Sequence, residues 1–252
     1  LPIIVFWEDK MNIACIFAGG VGSRMRSKEI PKQFLCIHGK PIIIHTLEIF
    51  ENHKDIDCIV VACKDEWIDH LRKLLEKFKI TKVKCITGGG KTGQLSIYNT
   101  LIEAEKLTSD DNSIVLIHDG VRPLITEKTI TDNIKSVMEF GSCITSVKVK
   151  ETIMLVSEDN SIDYIPDRAN SRLARAPQSF YLKDILKAHR AALSENIDNF
   201  IDSCSMMQYY GKKMYLVDGP DENIKITTPG DFYIMRAILD AREDNQIYGL
   251  GE

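Results

Sequence analysis

Four stretches of this chain combine glycine or an apolar run with a fixed charge. The first is Gly19-Gly20-Val21-Gly22, followed by Arg24 and then by Lys32. Glycine has no Cβ, so such a turn can take positive φ and let a ligand approach main-chain N–H groups. Successive N–H groups there form an anion-binding concavity. With Ala18 ahead of them and two cations behind, these glycines suggest a cradle for a polyphosphate. The second stretch, His118-Asp119-Gly120-Val121-Arg122-Pro123, sets a carboxylate and a guanidinium in one short turn. Beside a triphosphate, Asp119 suits Mg²⁺, which prefers oxygen ligands, or a substrate hydroxyl. Arg122 either meets a phosphate or fixes Asp119. The third is a second glycine loop, Gly88-Gly89-Gly90-Lys91-Thr92-Gly93-Gln94-Leu95-Ser96, and the fourth is Lys225 within Asn223-Ile224-Lys225-Ile226-Thr227.

Two familiar phosphate motifs are absent. Gly20, Gly22 and Met25 break the G-x-G-x-x-G spacing of dinucleotide-binding turns. No Gly-Lys-Ser/Thr closes the turn, which excludes a P-loop.

The elements that must hold these residues read as alternating strands and helices. Ile13–Ala18, Cys58–Cys63, Val83–Thr87 and Ser113–Asp119 are short apolar runs, expected as buried strands. Helices are expected from Lys40 to Phe50 with Pro41 in the first turn, from Asp65 to Phe78 and from Ser96 to Leu107. That alternation implies an α/β fold, a mainly parallel sheet covered by helices on both faces. Ligands then bind beyond the carboxyl ends of the strands, where the glycine turn, the 88–96 loop and Asp119 all fall. The second half changes character. Residues 144–166 alternate in part and read as a long β hairpin inserted into the α/β pattern. A helix follows near Leu182–Ala192, strands are expected at Lys213–Val217 and around Ile224–Thr227, and a last helix runs from Thr228-Pro229 to about Arg242.

The chain has 252 residues, 44% of them hydrophobic and 27% charged, with a net charge of −4. One large domain over residues 11–242 is the expectation, with 1–10 as a leader ahead of Met11 and 243–252 as a tail. A mildly acidic chain favours neither a nucleic-acid nor a membrane partner, so any anion site must be a local cationic cluster. The seven cysteines are scattered without CxxC or zinc spacing, as expected of reduced thiols in the cytoplasm.

In order, A-G-G-x-G-S-R-M, Pro31-Lys32-Gln33-Phe34, the 88–96 loop, H-D-x-x-R-P and N-I-K-x-T resemble the cytidylyltransferases that act on methylerythritol phosphate and ribitol phosphate. The resemblance covers nearly all of residues 11–242 and implies a Rossmann-like nucleotidyltransferase fold with a β-hairpin dimerisation arm at about 144–172. It further implies CTP and a sugar-alcohol phosphate as substrates and Mg²⁺ as cofactor. Arg24 and Lys32 would take the triphosphate and Lys225 the α-phosphate, these three being the catalytic residues. Ala18, Gly19, Gly20, Gly22, Gly89, Gly90, Ser96 and Asp119 would bind the nucleotide, with Asp119 also toward the metal. Arg122, Thr152 and Arg168 would serve the acceptor, Arg168 acting across the boundary of a homodimer.

Three residues depart from the family pattern. Gly93 stands where arginine is usual, Ala176 replaces a threonine before Pro-Gln, and Ile201 replaces a threonine before Asp202. Cys204 and Ile226-Thr227-Thr228-Pro229 look closer to the ribitol-phosphate branch. The alternatives are transfer to methylerythritol phosphate and a non-catalytic, CTP-binding relative.

Overall fold

The structure is a computed structural model that describes residues 10–19 and 30–248, with side chains through Asp244. The leader through residue 9, Gly20, Gly22, Arg24 and Met25 lie outside the described residues, as do residues 249–252.

Eleven strands and seven α-helices are described. The first half runs β1 (Asn12–Ala18), β2 (Cys36–Ile37), β3 (Lys40–Pro41), α1 (Ile42–Asn52), β4 (Cys58–Cys63), α2 (Ile68–Lys77), β5 (Val83–Gly88), α3 (Gly93–Glu105) and β6 (Ile114–Asp119). Then come α4 (Glu127–Phe140), β7 (Ser142–Lys148), β8 (Leu155–Val156), β9 (Ile162–Tyr164), β10 (Arg172–Tyr181), α5 (Leu182–Ser194), α6 (Ser203–Tyr209), β11 (Leu216–Asp218) and α7 (Pro229–Tyr248).

Seven strands form one sheet in the order β11-β7-β10-β6-β1-β4-β5. All neighbours pair in parallel except β10, which runs antiparallel to both β6 and β7. The mainly parallel α/β reading therefore holds. Apolar residues alternate between the two faces of the strands, as a period of two requires. Ala14, Ile16, Ile59, Val61 and Leu116 join Leu47, Phe50, Leu71 and Ile134 of α1, α2 and α4. Ile13, Cys15, Val60, Val115 and Ile117 join Leu101, Ile185 and Met206 of α3, α5 and α6. Both faces are covered, which is why β1, β4 and most of β6 read as apolar runs, whereas the edge strand β5 is only partly buried and carries Lys84.

Register brings the strand ends together. Ala18 pairs with Cys63, Cys63 with Gly88, and Phe17 with Asp119. The carboxyl ends of β1, β4, β5 and β6 thus finish at one edge.

The second half differs from the expected long hairpin. Ser142–Lys148 is a core strand, buried through Val147 and paired with β10 and β11. Only β8 and β9 form a hairpin, two and three residues long. Their side chains lie open: Leu155, Val156, Ile162 and Tyr164 are each half exposed or more. The expected strand at Ile224–Thr227 is extended chain outside any ladder, tied by Ile226 N–H to Val121 C=O at 2.9 Å. The last helix continues past Arg242 to Tyr248. Among the described residues, no helix is long and apolar enough to cross a membrane.

Candidate active site

β6 delivers Asp119 to the sheet edge with a side chain only 7% exposed. Two cations hold it. Arg122 Nε donates to Oδ2 at 2.7 Å, and Lys225 Nζ lies 2.6 Å from Oδ1. Burial by itself would raise the pKa of Asp119; Lys225 and Arg122 overcome burial and hold it at about 2. Arg122 Nη1 also donates to Asn223 C=O at 2.9 Å, and Asn223 Nδ2 donates to Ala176 C=O at 2.8 Å. The loop carrying Lys225 is thus fastened from both sides, while the lysine side chain stays 40% exposed. His118 does not join this chemistry. Its Nε2 meets Arg122 C=O at 3.1 Å, and burial pushes its pKa down to about 4.

Gly19, at the end of β1, packs against the second glycine loop. A Cβ on Gly19 would stand 3.1 Å from Ser96 Oγ and 3.4 Å from Gly89 Cα. Gly89 N–H donates to Cys63 C=O at 2.7 Å, which continues the β4 edge into the loop. Ser96 Oγ accepts Gly90 N–H at 3.0 Å and donates to Thr92 C=O at 3.0 Å. The helix cap is Thr92, whose side chain accepts from Leu95 N–H at 3.2 Å, so α3 begins at Gly93 rather than at Ser96. Ser96 sits in the first turn and shapes the loop. Ala18 is buried at the end of β1, and its carbonyl accepts from Gln33 Nε2 at 2.6 Å. That bond ties the short 3₁₀ turn Lys32–Phe34 to β1 and keeps Lys32 on the same edge, 9% exposed.

A cavity of about 240 Å³ opens beside Asp119. It is lined by Asp119, Arg122 and Lys225, and also by Gly93, Ala176 and Ile201, the three departures noted in the sequence. Asp202 is the other carboxylate on its wall. Both its oxygens are engaged, Oδ1 by Ser205 N–H at 2.8 Å and Oδ2 by Gln178 Nε2 at 3.0 Å. Asp119 is likewise engaged at both oxygens, but one of its partners, Lys225, is 40% exposed. A distant surface cluster of His38, Asp240 and Glu243 is an exposed ion pair with one further carboxylate.

The structure brings Ala18, Gly19, Gly89, Gly90, Ser96, Lys32, Asp119, Arg122 and Lys225 to one sheet edge. Thr152 and Arg168 are exposed on the arm and do not line the cavity. Arg168 instead borders a groove at the arm base and donates to Lys150 C=O at 3.3 Å. Sequence reasoning missed Arg175, Gln178, His189 and Ser203, all on the cavity wall. The signal was the antiparallel β10, whose Arg175 and Pro177 disguise it as a loop.

The family model for 2-C-methyl-D-erythritol 4-phosphate cytidylyltransferase (IspD) matches residues 12–241. The chain belongs to this cytidylyltransferase family. A ribitol-5-phosphate cytidylyltransferase of Streptococcus agalactiae serotype III is 55% identical over 240 residues, 95% of this chain and 100% of that protein. One from Vibrio parahaemolyticus is 54% identical over 239 residues, with 95% and 100% covered. Among solved structures, the 4-diphosphocytidyl-2C-methyl-D-erythritol synthase of Anaerococcus prevotii superposes with a TM-score of 0.78 at 28% identity, covering 92% of this chain and 96% of that one. Like that enzyme's relatives, this cytidylyltransferase is a nucleotidyltransferase. No nucleophilic triad accompanies its cationic site among the described residues.

Proposed function

We propose that this cytidylyltransferase transfers CMP from CTP to ribitol 5-phosphate, giving CDP-ribitol and pyrophosphate. The observation that carries the reading is the buried Asp119 clasped by Arg122 and Lys225 at the sheet edge where Gly19 packs on Gly89. The relatives above half identity supply the acceptor.

The acceptor is a phosphate monoester, largely dianionic at neutral pH because its second pKa lies near ~6. It is already a nucleophile and needs no general base. Its oxygen forms a bond to the α-phosphorus of CTP while the bond from that phosphorus to the bridging oxygen breaks, and pyrophosphate leaves with the electron pair. The enzyme must relieve repulsion between two anions and stabilise charge on the α-phosphate, which fixed cations do. Arg24 and Lys32 hold the triphosphate and the leaving group, and Lys225 moves from Asp119 to the α-phosphate. The glycine loop at Gly89 and Gly90, shaped by Ser96, receives the cytosine, while Ala18, Gly19, Gly20 and Gly22 face the phosphates.

A single carboxylate, released on one side when Lys225 moves to the α-phosphate, fits Mg²⁺, which keeps several waters and binds through one or two carboxylates plus substrate phosphates. Asp119 would hold it, and the ion would neutralise phosphate charge. The working unit is a homodimer. A lone hairpin is marginal in water, and the exposed Leu155, Ile162 and Ile165 need a partner. A second copy of the arm supplies one in a two-fold pairing. Thr152 and Arg168 then reach the acceptor in the partner's site. Seven free thiols suit a reducing cytoplasm.

The test is CTP-dependent pyrophosphate release with ribitol 5-phosphate and, separately, methylerythritol phosphate. Faster release with ribitol 5-phosphate is expected. A preference for methylerythritol phosphate would overturn the acceptor, and CTP binding without any release would overturn catalysis.

A further inference from the structure

The cavity beside Asp119 holds a charge imbalance that the cluster there does not explain. Its wall carries Arg122, Arg175 and Lys225 against Asp119 and Asp202. Arg122 and Lys225 both neutralise Asp119, and Asp202 is spent on the α6 cap and Gln178. Arg175 remains. It sits on β10 where the register with β7 shifts, between Ala174 and Gln178. Its buried Nε has no hydrogen-bond partner. A carboxylate that acts on it, Asp221, is itself paired with Lys150 at 2.6 Å. Burial and then the neighbouring Arg122 both lower the pKa of Arg175, and Asp221 offsets them only in part.

A half-buried guanidinium beside another cation is costly to maintain. It fits an anion brought in from outside, and a planar guanidinium matches phosphate oxygens two at a time. The same wall carries Ser203, 3% exposed, whose Oγ is buried without a partner. An unpartnered buried hydroxyl and an unpartnered guanidinium Nε on one cavity wall mark a place built for a polar ligand.

We propose that Arg175 binds the phosphate of the acceptor from within its own subunit, as a specificity-determining residue for phosphorylated acceptors. This rests on the cytidylyltransferase reading above. The nucleotide's phosphates are not its partner, because Lys32, which would hold them, does not line this cavity. The acceptor's phosphate must stand next to the α-phosphate, hence next to Lys225, which shares the cavity wall with Arg175. The uncharged hydroxyls of the acceptor then point to Ser203.

The experiment compares the intact wild-type enzyme with Arg175→Met and Arg175→Lys in steady-state pyrophosphate release. A charge-assisted contact of this kind governs about ten- to a hundredfold in affinity. Arg175→Met should raise KM for the best wild-type acceptor by at least about tenfold, leave KM for CTP unchanged, and lower kcat less than KM rises. Arg175→Lys should recover part of the loss, which a merely structural role would not give. An unchanged acceptor KM, or equal rises for acceptor and CTP, overturns the proposal. If no sugar-alcohol phosphate is turned over by wild type, the functional reading fails on its own. Calorimetry with inorganic phosphate then decides for Arg175: weaker binding in Arg175→Met than in wild type upholds an anion site, and equal binding overturns it.

Discussion

Lys225 Nζ lies 2.6 Å from Asp119 Oδ1, the oxygen that Arg122 leaves open. The two cations are not equivalent. Arg122 is 10% exposed and also holds the Asn223 carbonyl, whereas Lys225 is 40% exposed. Lys225 is the partner able to leave for a phosphate, and Arg122 is the one that keeps Asp119 in place.

Lys225→Ala should therefore lower kcat by about 10²–10³, the scale of a lost oxyanion donor, with little change in melting temperature. Arg122→Ala should instead destabilise the fold by about 3–5 kcal/mol, because it strips a buried carboxylate of its inner partner. Thermal melts and turnover on the two variants check this. Equal destabilisation by both would refute the division of roles. Lys32→Ala should also abolish release without unfolding, and wild-type turnover in it would remove Lys32 from the mechanism.

The glycine loop should control the nucleotide. A Cβ at Gly90 would fall 2.7 Å from Leu95 C and 2.8 Å from Ser96 N, both main chain. Gly90→Ala should weaken CTP binding by at least about tenfold in calorimetry. Gly93→Ala, where nothing lies within 4 Å, should leave it unchanged. ATP should bind wild type far more weakly than CTP; equal affinities would mean that the loop does not read the base.

Two buried histidines set an acid limit on stability. Burial pushes His118 and His189 down from 6.5 to about 4. A base with a depressed folded value gives stability that is complete above the unfolded pKa and is lost as pH falls through the folded one. The window is thus pH 6.5 to about 4, with about 3 kcal/mol at stake per ring. Asp119 adds a later loss, as pH falls from 3.8 toward 2. His189→Phe should flatten the denaturant midpoint between pH 6.5 and 4 relative to wild type, and an identical slope would contradict it.

The proposed homodimer, with arms acting in trans, predicts complementation. Lys32→Ala and Arg168→Ala homodimers should each be inactive. After subunit exchange, a heterodimer carries one doubly defective site and one intact site, restoring up to about half the activity in those molecules. A monomer by light scattering, or no recovery despite exchange, would exclude the shared site.

The first half was legible because strands buried on both faces announce themselves as apolar runs. β4 begins and ends at Cys58 and Cys63, as read. The positions of Gly19, the 88–96 loop and Asp119 followed from where such strands stop. β10 was hidden because Arg172, Arg175 and Pro177 break its apolar pattern, although it lies between two core strands. α4 went unread despite Thr126 as its cap and Ile130, Ile134 and Val137 at helical spacing. The seven-residue α6 is too short for periodicity to show, and its capping box at Asp202 and Ser205 carries no glutamate. β10, α6 and the loop before α6 supply Arg175, Ala176, Gln178, Ile201 and Ser203 to the cavity wall, so the part of the site nearest the departures Ala176 and Ile201 was the part least visible.

The flush strand ends also bear on how this enzyme can change over generations. One half of the site, Gly19 against Gly89, is main chain locked by the register of four strands, and a substitution there has no side chain to exchange. The other half is a wall of side chains on β10, α6 and the loop before α6, including Arg175, Ile201 and Ser203. Those can be traded one at a time without disturbing the sheet. A lineage can thus retune what it modifies while its activated donor stays constant, and directed evolution toward new acceptors should begin on that wall.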